Sequence, residues 1–178
     1  KVDFYIDGAD ESNASLIVHR DFTNSGTFTH SGTAALIFAG SSNQNINTGG
    51  ATLKNVEVSN SSGVTLNSQA TIGGTLTLTA GNINTNGNIL ELTGAAADLI
   101  GGSSSSFIIA TSAAGALRRH IGTNTDTYSF PVGLGSTASD FYKMDLENDN
   151  LSGMTYLDVF MVRNDGTGNN HSQYGTAH

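Results

Sequence analysis

The sequence predicts an all-β chain folded as a right-handed parallel β-helix (a solenoid) with a C-terminal antiparallel β cap or the start of a β-sandwich. Three observations predict this fold: short apolar clusters recur at even spacing, apolar and polar residues alternate within them, and one segment of the chain repeats. The 178 residues are 37% hydrophobic and include 22 glycines but one proline and no cysteine or tryptophan. Because the apolar residues are evenly spaced, this composition indicates a folded chain rather than a disordered one.

Alternation within the clusters indicates β-strands. In the segment 75–79, threonine alternates with Leu76 and Leu78, which places the leucines on one face and the threonines on the other. A helix would need apolar residues at i, i+3, i+4 and i+7 among good helix formers, and no window provides them. Because such short strands have almost no stability alone, they must be stabilised by stacking.

The clearest internal repeat is NINTGG at residues 45–50 against NINTNG at residues 82–87, an offset of 37 residues. Around it, the apolar run 36–38 matches the run 76–78, and residues 22–28 match residues 58–66 with an insertion. Two degenerate copies therefore cover about residues 16–53 and 54–92. Fixed-period repetition is typical of a solenoid, here with about two coils per copy and three strands in each coil of about 18 to 24 residues.

The repeat also predicts how the coils are built. Gly and Asn fill the corners, because they tolerate the left-handed backbone conformation. Inside, Ile, Leu and Val stack on like residues of neighbouring coils about 4.8 Å away, and inward Asn residues form similar ladders. The right-handed winding follows the rule for parallel crossovers.

The repeat character changes after about residue 100, and the chain divides into three predicted parts. Residues 1–122 are the parallel β-helix, residues 123–163 are a β cap or partial sandwich, and residues 164–178 are a polar linker rich in Gly and Asn. In the second part, segments 141–146 and 156–162 alternate over longer runs than the solenoid strands, as either a cap or a sandwich requires.

The net charge excludes nucleic acid as a predicted partner, because a value of −8 leaves no basic stripe for phosphates. No apolar run approaches the roughly 20 residues of a membrane-spanning helix, so no membrane span is predicted. The lack of cysteine suits a cytosolic protein and equally a secreted one that is stable without disulfides. Composition alone leaves the compartment open.

Five segments of the chain share a recognisable character: SLIVHRDFTNSGTF (15–28), SSGVTL (61–66), GTLTLTAGNINT (74–85), ALRR (116–119) and FPVG (130–133). These segments resemble the β-helical repeat regions of large secreted and cell-surface proteins of Bacteroidota. The resemblance covers roughly residues 14–135. It implies an adhesin-like protein with an extracellular or cell-surface location, exported by the type IX secretion route. Those repeat regions carry no catalytic residues that could be transferred to this chain.

Arg118, Arg119 and His120 are the only candidates for β-helix lyase chemistry, in which a basic residue abstracts a proton while cations neutralise a uronate carboxylate. Adjacent strand residues point to opposite faces, so at most Arg118 and His120 share one side. No Asp cluster at coil spacing accompanies them. We therefore expect a structural role, such as pairing with nearby acids.

Calcium is the only cofactor that the sequence suggests. The ion prefers six to eight oxygen ligands, and the acidic residues that could supply them form three loose groups. The groups are Asp3, Asp7, Asp10 and Glu11; Asp145, Glu147 and Asp149; and Asp165. The EF-hand spacing is absent, since positions 150 and 156 hold Asn and Tyr. Solvated surface charge is the favoured interpretation, and no metal ligand is assigned.

Other candidate surfaces have equally simple interpretations. The outward row Thr75, Thr77 and Thr79 is typical of ice binding, but the other copy has Ala35, Ile37 and Ala39 at the matching positions. Candidates for stacking on sugars are Tyr5, Phe28, Phe141, Tyr142 and Tyr156, which we expect mostly to pack into cores or caps. The histidines His19, His30, His171 and His178 show no paired metal spacing.

The leading functional hypothesis is a structural or adhesive segment of an extracellular surface protein, a rigid repeat spacer without catalysis. One alternative is a carbohydrate-active β-helix, either a polysaccharide lyase or a glycan-binding module. Another is secreted cargo or a subunit of a larger cell-surface assembly. The expected partners are other segments of the same protein or assembly, and glycans. No catalytic or cofactor-binding residue is assigned.

Overall fold

The computed structural model describes residues 14–151 and 153–162. Across these residues the protein is all-β, with 45% strand and 6% helix, and its parallel coils stack into a β-solenoid of about six turns, which confirms the predicted fold class. In these residues, no helix has the length and apolar character needed to cross a bilayer. The strands, in chain order, are β1 (Leu16–Val18), β2 (Phe22–Thr23), β3 (Ala35–Phe38), β4 (Gln44–Asn47), β5 (Thr52–Leu53), β6 (Asn55–Ser59), β7 (Val64–Leu66), β8 (Ala70–Ile72), β9 (Leu76–Ala80), β10 (Ile83–Asn84), β11 (Leu90–Leu92), β12 (Leu99–Gly101), β13 (Ile108–Ile109), β14 (Leu117–His120), β15 (Asp126–Gly133), β16 (Phe141–Asn148) and β17 (Tyr156–Val159). Single 3₁₀ turns lie at Ala96–Asp98, Ala113–Gly115 and Ala138–Asp140.

Three sheets run along the solenoid, and each complete coil contributes one strand to each sheet. The first described coil has no strand in sheet C, and the last has none in sheet A. Sheet A has the order β1-β3-β6-β9-β12, sheet B the order β2-β4-β7-β10-β13-β15-β16, and sheet C the order β5-β8-β11-β14-β17. Parallel partners in neighbouring coils lie 19 to 27 residues apart in sequence. The coil is therefore the structural repeat, and the 37-residue sequence repeat spans two coils.

Inward side chains form columns along the axis. In sheet A, Leu36, Val56 and Leu76 are register partners in successive coils, and all three are buried. Sheet C repeats the arrangement with Leu90 and Leu117. The expected stacking of aliphatic residues is confirmed, and each fully buried aliphatic side chain contributes about 1.5–3 kcal/mol relative to exposure. The repeat does not form the expected inward Asn ladder, because Asn45 and Asn84 lie on the outward side of their strands.

The two NINT segments form the same corner between sheets B and C in two different coils. In the turns 48–51 and 85–88, the last amide donates to the first carbonyl at 3.0 and 2.8 Å, and both central residues have positive φ. Thr48 and Thr85 are buried at these corners, and each hydroxyl donates to a backbone carbonyl of the neighbouring coil. The repeat therefore encodes a corner.

The same two segments are not stacked residue upon residue. Ile46 is the register partner of Leu66, whereas Ile83 is the partner of Val64, so the copies differ by two positions across the coil between them. In sheet A, Leu36 and Leu76 stand two coils apart at an offset of 40 residues. A shift of two positions keeps each isoleucine inward, because the strand period is two.

Of the two segments predicted to form longer strands, 141–146 lies in the eight-residue β16, whereas 156–162 forms only the four-residue β17. Both strands extend the solenoid sheets. β16 pairs antiparallel with β15 in sheet B, and β17 pairs antiparallel with β14 in sheet C. Met144 and Leu146 of β16 pack against the core, while Lys143 and Asp145 are exposed and form an ion pair at 3.0 Å. Both strands thus take the position of an antiparallel cap.

Alanine substitutions at two glycines with the same φ distinguish two destabilising effects. One is the strain of an L-residue at positive φ, and the other is a clash of its Cβ with the neighbouring coil. Gly81 and Gly87 both have φ of 77°. A Cβ at Gly87 would meet nothing within 4 Å, whereas at Gly81 it would overlap the carbonyl oxygen of Asn60. We expect Gly87→Ala to lower the free energy of unfolding by about 1–2 kcal/mol. Gly81→Ala is expected to cost several times more, because the coils must separate. Guanidinium denaturation of both variants measures this, and equal losses would contradict the described coil contact.

Candidate functional site

Strand β14 directs Arg118, Arg119 and His120 alternately out of and into the solenoid. Leu117, the first residue of β14, is buried, so Arg119 points inward with it while Arg118 and His120 share the outer face. In register, Glu91 of β11 lies on one side of Arg118 and Asp158 of β17 on the other. The triplet is therefore split between two environments, as strand alternation predicts.

On the outer face, Arg118 forms a two-pronged ion pair with Asp158. Its Nε donates to Oδ1 at 2.7 Å and its Nη2 donates to Oδ2 at 2.8 Å. The guanidinium also lies over the Tyr156 ring, 4.0 Å from the centroid. The hydrogen bond to the Asp158 carboxylate raises the pKa of Arg118, which favours the charged guanidinium. This contact fastens β17 to β14.

Glu91 collects the remaining polar groups of this face. Its Oε1 lies 2.9 Å from Nε2 of His120, and its Oε2 accepts from Gln69 Nε2 at 3.1 Å and from Thr71 Oγ1 at 3.2 Å. These donors lie in the coils on both sides of Glu91. The expected pairing of Arg118 and His120 with acids is thus present, and it joins neighbouring coils.

Arg119 lies inside the solenoid, in the column that continues Leu92, and is 1% exposed. Its Nη1 donates to the Ser129 carbonyl at 2.9 Å, and its Nη2 donates to the carbonyls of Ala95 and Ala96 at 3.1 and 2.9 Å. A buried arginine bonded to backbone carbonyls was not predicted from the sequence. The available signal was the alternation that puts position 119 on the same side as Leu117.

Burial has a defined electrostatic effect on Arg119. It lowers the pKa of the guanidinium to about 10, because the charged form loses hydration, while Tyr128 and Asp98 act in the opposite direction. The group is therefore still protonated at neutral pH. The rings of Tyr128 and Phe130 lie 5.2 and 5.9 Å from its Cζ, within cation–π range. A polymer in solvent cannot reach this side chain, so Arg119 cannot act on one.

The acidic groups do not assemble a metal centre among residues 14–151 and 153–162, where no cluster of three His, Cys, Asp or Glu side chains could hold an ion. Of the predicted candidates in that part, Asp145 pairs with Lys143, and Glu147 and Asp149 are exposed. The others, Asp3, Asp7, Asp10, Glu11 and Asp165, lie outside the described residues.

The threonine row on sheet A is interrupted along the axis. Thr77 has Glu57 and Ile100 as its register partners, and the Thr79 hydroxyl donates to Glu57 Oε1 at 2.8 Å. Threonine therefore does not repeat from coil to coil here, which leaves no regular array to order water. Ile100 is 51% exposed, so this face mixes polar and apolar groups.

The aromatic candidates mostly pack at the two ends of the solenoid. The Phe28 ring centroid lies 5.2 Å from that of Phe22, and the Phe141 centroid lies 5.5 Å from that of Phe107. Tyr142 is 46% exposed, which leaves much of its ring accessible. Tyr5, His171 and His178 lie outside the described residues.

His30 and His19 both serve as bridges between coils. His19 Nδ1 lies 2.9 Å from the Ala39 carbonyl. At His30, Nδ1 accepts the Lys54 amide hydrogen at 3.0 Å, so the neutral ring carries its proton on Nε2, 3.2 Å from the Ala34 carbonyl. Burial lowers the pKa of His30, and the bond to Ala34 offsets part of this effect.

Alanine substitution of Arg118 and of Arg119 compares the stabilisation that an arginine provides on the outer face with the stabilisation that it provides inside the solenoid. Arg119→Ala leaves three carbonyls without their donor and opens a cavity, so we expect the free energy of unfolding to fall by about 3–5 kcal/mol. Arg118→Ala should cost about 1–2 kcal/mol, because its ion pair is partly solvated. Chemical denaturation measures both, with Arg119→Met as a variant of retained volume. A loss for Arg119→Ala no larger than that for Arg118→Ala would contradict the buried role.

His30 predicts a pH dependence of stability with a definite sign. Burial places the folded pKa of His30 below the ordinary histidine value of 6.5, so the unfolded chain binds the proton more readily. The stabilising contribution is complete above pH 6.5 and is lost as pH falls through the folded pKa, at up to about 1.4 kcal/mol per pH unit. We expect the stability difference between the protein and its His30→Asn variant to shrink from pH 8 to pH 5. Melting curves across this range measure it, and parallel curves would refute it.

Comparison of the chain with known protein families, with curated proteins and with solved structures finds no match in any of the three. The resemblance to Bacteroidota surface proteins therefore stays an expectation.

Proposed function

We propose that the chain is a rigid structural and adhesive segment of an extracellular surface protein, a spacer without catalysis. The observation that carries this proposal is the stacking of inward side chains from coil to coil, in a register that shifts within a paired strand only between Val58 and Ser59 among the described pairs. In sheet B, for example, Val64, Ile83, Ile108 and Val132 follow one another as partners. A coil cannot shift against its neighbour without exposing this interior, so the rod resists bending and slipping.

Corner side chains strengthen this argument, because they bond across coils rather than within one. Asn55 Nδ2 donates to the Ala34 carbonyl at 3.2 Å, and Asn55 Oδ1 accepts the Thr75 amide hydrogen at 3.0 Å. One amide thus joins three successive coils. Such bonds hold the corners in register where no strand is present.

The outer cluster of β14 supports a role without catalysis. Arg118, His120 and Glu91 are engaged in the contacts that fasten β11, β14 and β17 together. A lyase base needs freedom to approach the substrate proton, and groups held in ion pairs lack it. The contacts of Arg118, Arg119 and His120 are therefore explained by a role in stabilising the solenoid.

The polar outer face of sheet B suits contact with other segments of the same protein or assembly, or with glycans. Asn45, Thr65 and Asn84 are outward register partners in three successive coils. Their amide and hydroxyl groups can donate and accept hydrogen bonds at regular spacing. An adhesive surface of this kind needs a stiff support, since ordering it on binding would cost affinity.

The spacer role predicts a single, narrow end-to-end distance. The chain has no cysteine, so Thr23→Cys on β2 and Glu147→Cys on β16 give two exposed labelling sites at opposite ends of sheet B. Six strand-to-strand steps of about 4.8 Å separate these strands by roughly 29 Å along the axis. We expect double electron–electron resonance to give one narrow distribution, widened only by the label arms. Its centre should lie beyond the axial separation, because the strand register also places Glu147 about eight residue positions from Thr23 along the strand direction, roughly 26 Å.

The matched control is the same labelled pair in denaturant, where the distribution should broaden. A broad or two-peaked distribution in buffer would show a hinge and sink the spacer role. Catalysis is tested separately by incubating the protein with neutral and uronate polysaccharides and measuring reducing ends and unsaturated products. No turnover is expected, and turnover lost in a His120→Ala variant would contradict the proposal.

A further inference from the structure

An open groove lies at the corner between sheets A and B near the first described coils. It is lined by residues 19–21 of one coil and residues 39–45 of the next, and its volume is about 650 Å³. That volume lies within the range of roughly 300–1,000 Å³ that is usual for small-molecule sites. We call it the corner groove, and none of its residues takes part in the β14 cluster.

The corner groove arises from a difference in corner length. Val18 and Phe38 are register partners at the end of sheet A, and Phe22 and Ile46 are partners in sheet B. Three residues therefore span the first corner, whereas seven span the second. The longer segment extends past the shorter one and forms a ledge. The groove is thus built into the backbone rather than left between mobile side chains.

A buried amide holds the two walls in place. Gln44 is 1% exposed, and its Nε2 donates to the carbonyls of Val18 and Arg20 at 3.0 and 2.6 Å. Its Oε1 accepts the Gly40 amide hydrogen at 2.8 Å and a hydrogen of Asn60 Nδ2 at 3.0 Å. One side chain therefore joins the short corner, the ledge and the following coil. Binding in the groove would need little further ordering, which lowers its entropic cost.

The lining offers donors and acceptors that are only partly used. Asp21 and Arg20 are exposed. Asp21 Oδ1 accepts the Asn45 amide hydrogen at 2.8 Å, while its Oδ2 has only a 3.4 Å contact with Asn45 Nδ2. The Arg20 guanidinium makes no side-chain hydrogen bond or ion pair with another described residue. Ser41 and Ser42 add hydroxyl groups on the ledge.

We propose that the corner groove binds a neutral saccharide through vicinal hydroxyl groups. A carboxylate accepts from hydroxyl donors while a guanidinium donates to hydroxyl oxygens, so Asp21 and Arg20 together match a diol. Their charges cancel, and the chain carries −8 overall, which disfavours uronate or sulfated glycans. The inference goes beyond the spacer role, because the rod is rigid whether or not the groove is occupied.

The test uses the full chain and defined sugars. An array of neutral oligosaccharides ending in hexoses or N-acetylhexosamines, with uronate and sialylated ones beside them, identifies the probe. Titration of the best neutral probe into isotope-labelled protein then follows each backbone amide by NMR. We expect saturable shifts confined to residues 19–21 and 39–45.

Two variants and a matched control assign the contacts. Arg20→Ala and Asp21→Asn should each weaken binding at least about tenfold, since each removes a charge-assisted hydrogen bond. Lys143→Ala removes an exposed cation on β16 at the opposite end of the sheet and should leave the dissociation constant unchanged. Melting curves of all three establish that they fold.

Three results would overturn the proposal: no amide shift in the groove up to about 10 mM neutral sugar, a range that covers weak millimolar affinities; binding of acidic glycans alone; or neutral binding that both groove variants leave intact. None of these outcomes changes the distance expected between the two spin labels. The experiments therefore distinguish a wrong saccharide-binding proposal from a wrong spacer proposal.

Discussion

Coil-to-coil stacking is the constraint on which the rest of this structure depends. Strands of two to five residues make up nearly all of the parallel part, and such strands have almost no stability alone. Each is held only because its backbone bonds to the strands above and below while its inward side chain meets a like residue in both. Leu36, Val56 and Leu76 show the pattern in sheet A. The stability of the whole solenoid therefore depends on strand register, since losing the register in one coil would expose the apolar interior of its neighbours.

The polar residues at the corners follow from the same constraint. A corner leaves backbone groups without ladder partners, and buried polar groups must be satisfied. Five side chains meet this need with bonds to backbone carbonyls of other coils: Gln44, Asn55, Asn60, Thr48 and Thr85. The composition rich in Asn and Thr thus has a structural reason that does not depend on any surface function. Arg119 is a charged example of the same effect, because its buried guanidinium donates hydrogen bonds to three backbone carbonyls.

The sequence predicted the fold class and the inward face of most strands, because apolar spacing and alternation are local signals. It also revealed the NINT repeat and assigned Gly and Asn to the corners in general, without placing a corner at that repeat. It did not predict that Ile46 and Ile83 would differ by two positions in register, since pairing depends on how many residues each corner takes up between strands. Arg119 was missed for another reason: charge suggested the surface, whereas the alternation with Leu117 required the interior. The corner groove was beyond sequence reasoning, because it depends on the difference in length between two corners aligned only in three dimensions.

The C-terminal end shows how a stacked structure can stop. After β14 the chain passes directly to β15 in sheet B without adding a strand to sheet A. A further parallel strand would have needed another coil, whereas β16 returns antiparallel after a short connection. The returning strand presents Lys143, Asp145 and Glu147 outward at the edge of the sheet, and charged edge residues oppose addition of another strand. Antiparallel pairing therefore ends the repeat while still covering the last inward residues, Phe130 and Val132, with the side of β16 that carries Met144.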